Sequence, residues 1–117
     1  KGWMRLYHPG GGYSWAYSKG SLGNGWGYHD FYYNNRYLRI GSDTYAFHKN
    51  GFMASDEWVN YNGAWYYARD WGGFLHNQSM YITRKDYSFD GDPKRTINAA
   101  TYQFDSSGRC TNFYSYN

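Results

Sequence analysis

Aromatic and small polar positions follow one another in short bursts along this chain, and glycine, asparagine or serine breaks each burst after a few residues. The sharpest is Trp58-Val59-Asn60-Tyr61-Asn62-Gly63-Ala64-Trp65-Tyr66-Tyr67. Asn62-Gly63 supplies two residues that accept positive φ, as a type I′ turn requires, between flanks that are aromatic or β-branched; the segment predicts a tight hairpin. Its two indoles, seven residues apart across the turn, can face the same side. Weaker versions recur: Thr44 to Gly51, Tyr66 to Gly73 and Thr101 to Gly108 align without gaps, each with an aromatic second and a glycine last, and Tyr13 to Gly20 is a looser copy. The first interval, 22 residues, lies in the range of stacked repeat arrays. The second is 35, which implies an insertion or a degenerate copy around Asp86 to Ala100. In the middle copy either Gly72 or Gly73 can be the anchor.

Each copy leaves by a similar route. Gly20 to Trp26 and Gly51 to Trp58 both end in tryptophan, Gly73 to Met80 substitutes methionine, and the chain opens on Gly2-Trp3. The unit therefore reads as a tryptophan, a short strand, a turn, an aromatic strand, a glycine turn and an apolar residue. No segment carries the roughly 12 residues of helical periodicity that a stable helix needs. The expectation is an all-β chain of stacked β-hairpin repeats, a solenoid of about four units (1–25, 26–57, 58–79 and 80–117) in one domain of 117 residues, with little or no helix.

Composition sharpens this picture. A quarter of the residues are aromatic, so the apolar character sits in Tyr and Trp rather than in Leu, Ile and Val. Such side chains suit half-exposed sheet faces, because the ring buries area while its polar tip reaches water. The net charge of +3 is modest and scattered. Arg84-Lys85 and Lys94-Arg95, flanking Asp90-Gly91-Asp92, read as a solvated loop around a turn. No apolar run approaches the ~18 residues of a spanning helix, so membrane insertion is not expected. No signal peptide is visible, and a start at Lys1 reads as a processed or excised domain. Cys110 stands alone in the sequence, which excludes an internal disulfide and suggests a small buried apolar role. His8, His29, His48 and His76 lack metal-ligand spacing, and His48 and His76 read as loop decoration. Adjacent pairs such as His29-Asp30 and Asp56-Glu57 would point to opposite faces of a strand, which argues against an acid–base dyad. Neither catalysis nor a cofactor is expected.

Stacked hairpins bury only the surfaces between neighbours, so some rings are left in open grooves. Clustered ring faces attract a quaternary ammonium, at ~0.5 to 2 kcal/mol per ring, or the apolar face of a sugar. Trp58 with Trp65 and Tyr67 form the first candidate cage. Trp26 with Tyr45 and Trp58 form the preceding one, and Trp3 with Trp15 and Trp26 the earliest. Packing between repeats is the alternative for each tryptophan, and Trp71 joins no cage. Glu57, ahead of Trp58, reads as solvated.

Trp58 through Gly72, together with the pairs Gly2-Trp3 and Gly25-Trp26, resembles the cell-wall-binding repeat family, whose members include choline-binding and glucan-binding modules of Gram-positive surface proteins and phage lysins. The resemblance implies hairpin-plus-loop repeats stacked into a left-handed solenoid, with ligand held between neighbouring repeats by two or three aromatics. It also implies a non-catalytic module at the cell surface that anchors an attached protein to choline-decorated teichoic acid. The pattern departs at Thr101, at Thr44 or Asp43, and at Met80, so fewer complete cages follow. Another wall polysaccharide, or a structural assembly module that leaves room for a homodimer, stays open. Aromatic platforms can also bind single-stranded nucleic acid, but nine acidic residues interrupt any positive track and no nucleic-acid partner is expected.

Overall fold

A computed structural model of the chain describes residues 2–23 and 28–117; the expectation for Trp26 lies outside the described residues. In chain order the strands are β1 (Gly2–Tyr7), β2 (Tyr13–Ser21), β3 (His29–Phe31), β4 (Leu38–Ile40), β5 (Asp43–Tyr45) and β6 (Glu57–Tyr61). They continue with β7 (Ala64–Ala68), β8 (Gln78–Ile82), β9 (Lys85–Tyr87), β10 (Arg95–Ile97) and β11 (Ala100–Phe104), and a 3-10 turn at Phe113–Ser115 ends the chain. Among the described residues all strand pairings are antiparallel, and β1-β2-β3, β4-β5, β6-β7, β8-β11 and β9-β10 are separate small sheets. Asn62 and Gly63 take φ of 50° and 79°, closing the type I′ turn of β6–β7.

After β4–β5, β6–β7 and β8–β11 the chain makes the same glycine turn. Gly51, Gly72 and Gly108 have φ of 90°, 102° and 89°, a region that favours glycine. Their N–H groups donate to the carbonyls of His48 (2.9 Å), Arg69 (2.8 Å) and Asp105 (3.0 Å). Bridges Phe47 to Met53, Ala68 to Phe74 and Phe104 to Cys110 close the three turns. The anchor of the middle copy is therefore Gly72 rather than Gly73, and the successive intervals become 21 and 36 residues. β9–β10 is the reason for the longer interval, being a hairpin inserted into the connection between β8 and β11.

Neighbouring units are joined by one recurring backbone bond. The N–H of Met53 donates to the Trp15 carbonyl (2.7 Å), that of Phe74 to Thr44 (2.9 Å) and that of Cys110 to Trp65 (2.8 Å). Each bond satisfies groups that a two-stranded ribbon would otherwise leave open at its edge. Stacking in one direction produces an elongated body of 52 × 30 × 23 Å. Its radius of gyration is 15.3 Å, against ~13 Å for a compact domain of this length.

The inserted hairpin is pinned by its turn. Asp92 accepts two hydrogen bonds from Arg36 (2.6 and 3.0 Å) and a third from the Tyr87 hydroxyl. Asp90 accepts from the Lys49 N–H (2.6 Å) and lies 3.1 Å from Nδ1 of His48. On the other side of that ring, Nε2 is 3.0 Å from Glu57, and the ring stacks on Phe89 at 4.1 Å. Asp90 and Asp92, read from sequence as a turn, thus fasten the insertion to the second unit, and Glu57, read as solvated, holds the far side of the His48 ring. Burial alone would lower the His48 pKa, but hydrogen bonds and charge from Glu57, then from Asp90, outweigh it and raise it.

The densest packing surrounds β6–β7. Trp58 and Trp65 do face the same side, 6.5 Å apart, but the last unit closes over them. Tyr102 meets Trp58 at 4.7 Å, and Phe113 stacks on Trp65 at 4.6 Å and 11°. Tyr87 of the insertion adds an edge contact to Trp65 at 4.8 Å. Among the described residues the Trp58 indole N–H has no hydrogen-bond acceptor, and aromatic rings crowd around it instead. Cys110 is buried in the same cluster, where the apolar surroundings raise its thiol pKa.

Candidate functional site

Strand alternation on β1–β2 turns Trp3, Trp15 and Tyr17 to one face, while Met4 and Ala16 lie opposite each other on the other. The bond from Met53 to the Trp15 carbonyl brings the return segment of the second unit alongside. β5 ends at Tyr45, whose ring packs edge-on against Trp3 at 4.8 Å. The glycine turn of the third unit then adds Trp71, 6.3 Å from Tyr45 at 69°. The result is an open pocket of about 360 Å³ lined by Trp3, Trp15, Tyr45, Met53 and Trp71.

Two glycines make this geometry accessible. A Cβ on Gly73 would lie 2.2 Å from the Trp71 ring, and one on Gly72 would lie 2.2 Å from Sδ of Met53. Without side chains at both positions, the indole folds back over the turn and the thioether enters the pocket wall. Arg69 braces the indole: its guanidinium lies 4.3 Å from the Trp71 ring centre and donates to the Gly73 and Phe74 carbonyls. Burial and then the Asp43 charge raise the Tyr45 pKa, so the phenol stays neutral at physiological pH. Among the described residues every wall of the pocket is aromatic or thioether, and no carboxylate, amide or cationic side chain lines it. Such a surface offers ring faces and van der Waals contact but few hydrogen bonds.

Three of the residues expected from sequence, Trp3, Trp15 and Tyr45, meet in this one pocket, whereas the sequence reading had divided them between two cages. Trp71, 48% exposed, was missed because it occupies a turn, where the other copies carry Asn50 and Ser107. The available signal was its place directly before the anchoring Gly72. Trp58, Trp65 and Tyr67 require a correction. They are 2%, 8% and 4% exposed, so the expected wet cage is part of the core. The physical cause is the closure by Tyr102, Phe104 and Phe113 of the last unit. Where an incoming cation would meet Trp65, the chain's own Arg95 already lies, 5.4 Å from that ring and 5.3 Å from Phe113.

The chain is similar in structure to the multimodular pneumococcal cell wall endolysin from phage Cp-1, solved in complex with choline. The TM-score is 0.56 at 22% identity, over 92% of this chain and 24% of the endolysin. The wild-type endolysin complexed with a peptidoglycan analogue gives the same values. The choline binding domain of Spr1274 from Streptococcus pneumoniae matches at 23% identity and a TM-score of 0.43, covering 67% of this chain and 94% of that domain. No protein-family model and no curated protein matches the sequence. The chain spans about a quarter of the endolysin's length. Its fold, a stack of antiparallel β-hairpin units, is shared with the matched part of that endolysin.

Proposed function

We propose that this chain is a non-catalytic wall-binding module that grips the quaternary ammonium of choline on teichoic acid, and so holds an attached protein at the bacterial surface. The observation that carries the proposal is the pocket of Trp3, Trp15, Tyr45, Met53 and Trp71. A quaternary ammonium has no N–H to donate and needs only ring faces around its methyl groups. A sugar would leave its hydroxyls unpartnered against the same walls. The fold shared with an endolysin solved with choline supports the reading.

Magnitudes fit a weak single site. Each ring contributes ~0.5 to 2 kcal/mol, and association itself costs ~4 kcal/mol or more, so a dissociation constant of roughly millimolar order is expected for free choline. Firm retention on a wall then depends on many choline groups per polymer and on neighbouring modules. The test is a pull-down on purified Gram-positive walls with free choline as competitor. Choline-bearing walls should retain the protein and choline should elute it. Equal retention on choline-free walls, undisturbed by choline, would remove choline as the ligand.

A further inference from the structure

The residue three before the anchoring glycine changes its chemistry from unit to unit: His48 before Gly51, Arg69 before Gly72 and Asp105 before Gly108. Arg69 carries a permanent charge, committed to the Gly73 and Phe74 carbonyls and to Asp43 at 3.4 Å. His48 occupies the same place with a charge that can be lost near neutral pH.

Two carboxylates from different parts of the fold meet the His48 ring. Nε2 lies 3.0 Å from Glu57 at the start of β6, and Nδ1 lies 3.1 Å from Asp90 in the turn between β9 and β10. An ionised carboxylate only accepts hydrogen bonds, so both contacts are satisfied at once only by the imidazolium. The neutral ring has a single N–H and turns a lone pair toward the other carboxylate. Neither acceptor is free to swing away: Glu57 also takes the Ser55 N–H at 3.1 Å, and Asp90 the Lys49 N–H at 2.6 Å. The ring face stacks on Phe89 at 4.1 Å and 18°. The other charges nearby are the exposed Lys49 on the same turn, and Arg36, which is bound to Asp92 at 2.6 Å and to the Asp90 carbonyl at 3.1 Å.

The inserted hairpin is what these contacts hold down. Tyr87 at the end of β9 meets Trp65 edge-on at 4.8 Å, and Arg95 at the start of β10 lies 5.4 Å from the same ring. One side of its turn is pinned by Arg36 and Asp92, a pair whose raised guanidinium and lowered carboxyl pKa keep it charged throughout the neutral range. The other side is pinned by His48.

We propose that His48 is a pH-sensitive latch: its charged ring clamps the turn of the inserted hairpin against β6, and its neutral ring releases that side of the hairpin from the third unit. Desolvation opposes charge on the ring, but the bonds and charges of Glu57 and then Asp90 outweigh it and raise the pKa. The latch is therefore closed below the ordinary ~6.5 and opens as pH rises through the higher folded value.

The experiment uses the full chain and combines NMR titration of the His48 ring with amide hydrogen exchange, corrected for intrinsic rates, from about pH 5 to 8. The reporters are the Lys49 amide, bonded to Asp90, and the Asp92 amide, bonded to the Phe89 carbonyl at 2.9 Å; the Gly72 amide, bonded to Arg69 at 2.8 Å, is the control. Protection of Lys49 and Asp92 should fall at least roughly tenfold, the scale of one hydrogen bond to a charged group, along the curve on which the ring loses its proton, while Gly72 stays constant. His48→Gln should leave both reporters at the open level at every pH. Glu57→Gln should do the opposite, because its amide donates to the neutral ring's lone pair while Nδ1–H still reaches Asp90, so protection persists at about pH 8. A His48 ring carrying one proton at about pH 5, reporter protection that ignores the ring's titration, or a Glu57→Gln chain that opens like the parent would each overturn the proposal.

Discussion

Replacing Trp65 and Trp71 separately by alanine sets folding against binding. Trp65 is 8% exposed and stacked on Phe113; truncating a buried aromatic of this kind costs about 3 to 5 kcal/mol. A domain of this size has a total stability of about 5 to 15 kcal/mol. At roughly 4 to 6 °C per kcal/mol, Trp65→Ala should lower the thermal midpoint by about 12 to 30 °C. Trp71 is 48% exposed and rests on a turn, so its removal should change stability by less than about 1 kcal/mol. It should nonetheless remove one ring of the cage, worth ~0.5 to 2 kcal/mol, and so weaken choline roughly 2- to 30-fold. Circular-dichroism melts and calorimetric choline titration on the same two samples give both quantities. The reasoning is refuted if Trp65→Ala melts like the parent but loses choline, or if Trp71→Ala binds choline with parental affinity.

Four other outcomes follow from the same geometry. The His48 pKa is raised above its ordinary ~6.5, so the stability it contributes is fully present below that value and lost as pH rises through the folded pKa; melts across this range should fall with pH, and His48→Gln should flatten the slope. Asp90 has its pKa lowered, since burial acting upward is outweighed by bonds from Lys49 and His48; its contribution is present above ~pH 4 and fades as acid protonates it, which Asp90→Asn melts would show. Gly108→Ala forces a side chain into φ of 89° with its Cβ 3.2 Å from the Leu75 carbonyl, and should cost more than about 1 kcal/mol in denaturant unfolding. Cys110, buried with a raised thiol pKa, should react with a thiol reagent at the rate of unfolding and become fully reactive only in denaturant.

Local features were legible in the sequence and distant ones were not. Asn62-Gly63 specified its turn because two adjacent residues suffice to choose a type I′ geometry, and strand alternation correctly put Trp58 and Trp65 on one face. Whether that face is wet depends on Tyr102 and Phe113, which reach it from across the inserted hairpin; no periodicity in the Trp58 segment records them. Trp3, Trp15 and Tyr45 were nameable as exposed rings, but the pocket they share exists only once Met53 bonds to Trp15 and Trp71 folds over Gly73. The carboxylates of Asp90 and Asp92 looked like an acidic turn because their partners, His48 and Arg36, lie more than forty residues upstream.

A cation held in the open pocket touches Trp3, Trp15 and Trp71 and leaves the buried indoles untouched. A choline titration observed through the indole N–H resonances tests this in one experiment, with each signal assigned by its Trp→Phe variant. Trp3, Trp15 and Trp71 should shift together along one saturation curve while Trp58 and Trp65 stay in place. Movement of the buried pair without the other three, or no movement of any indole, would contradict it.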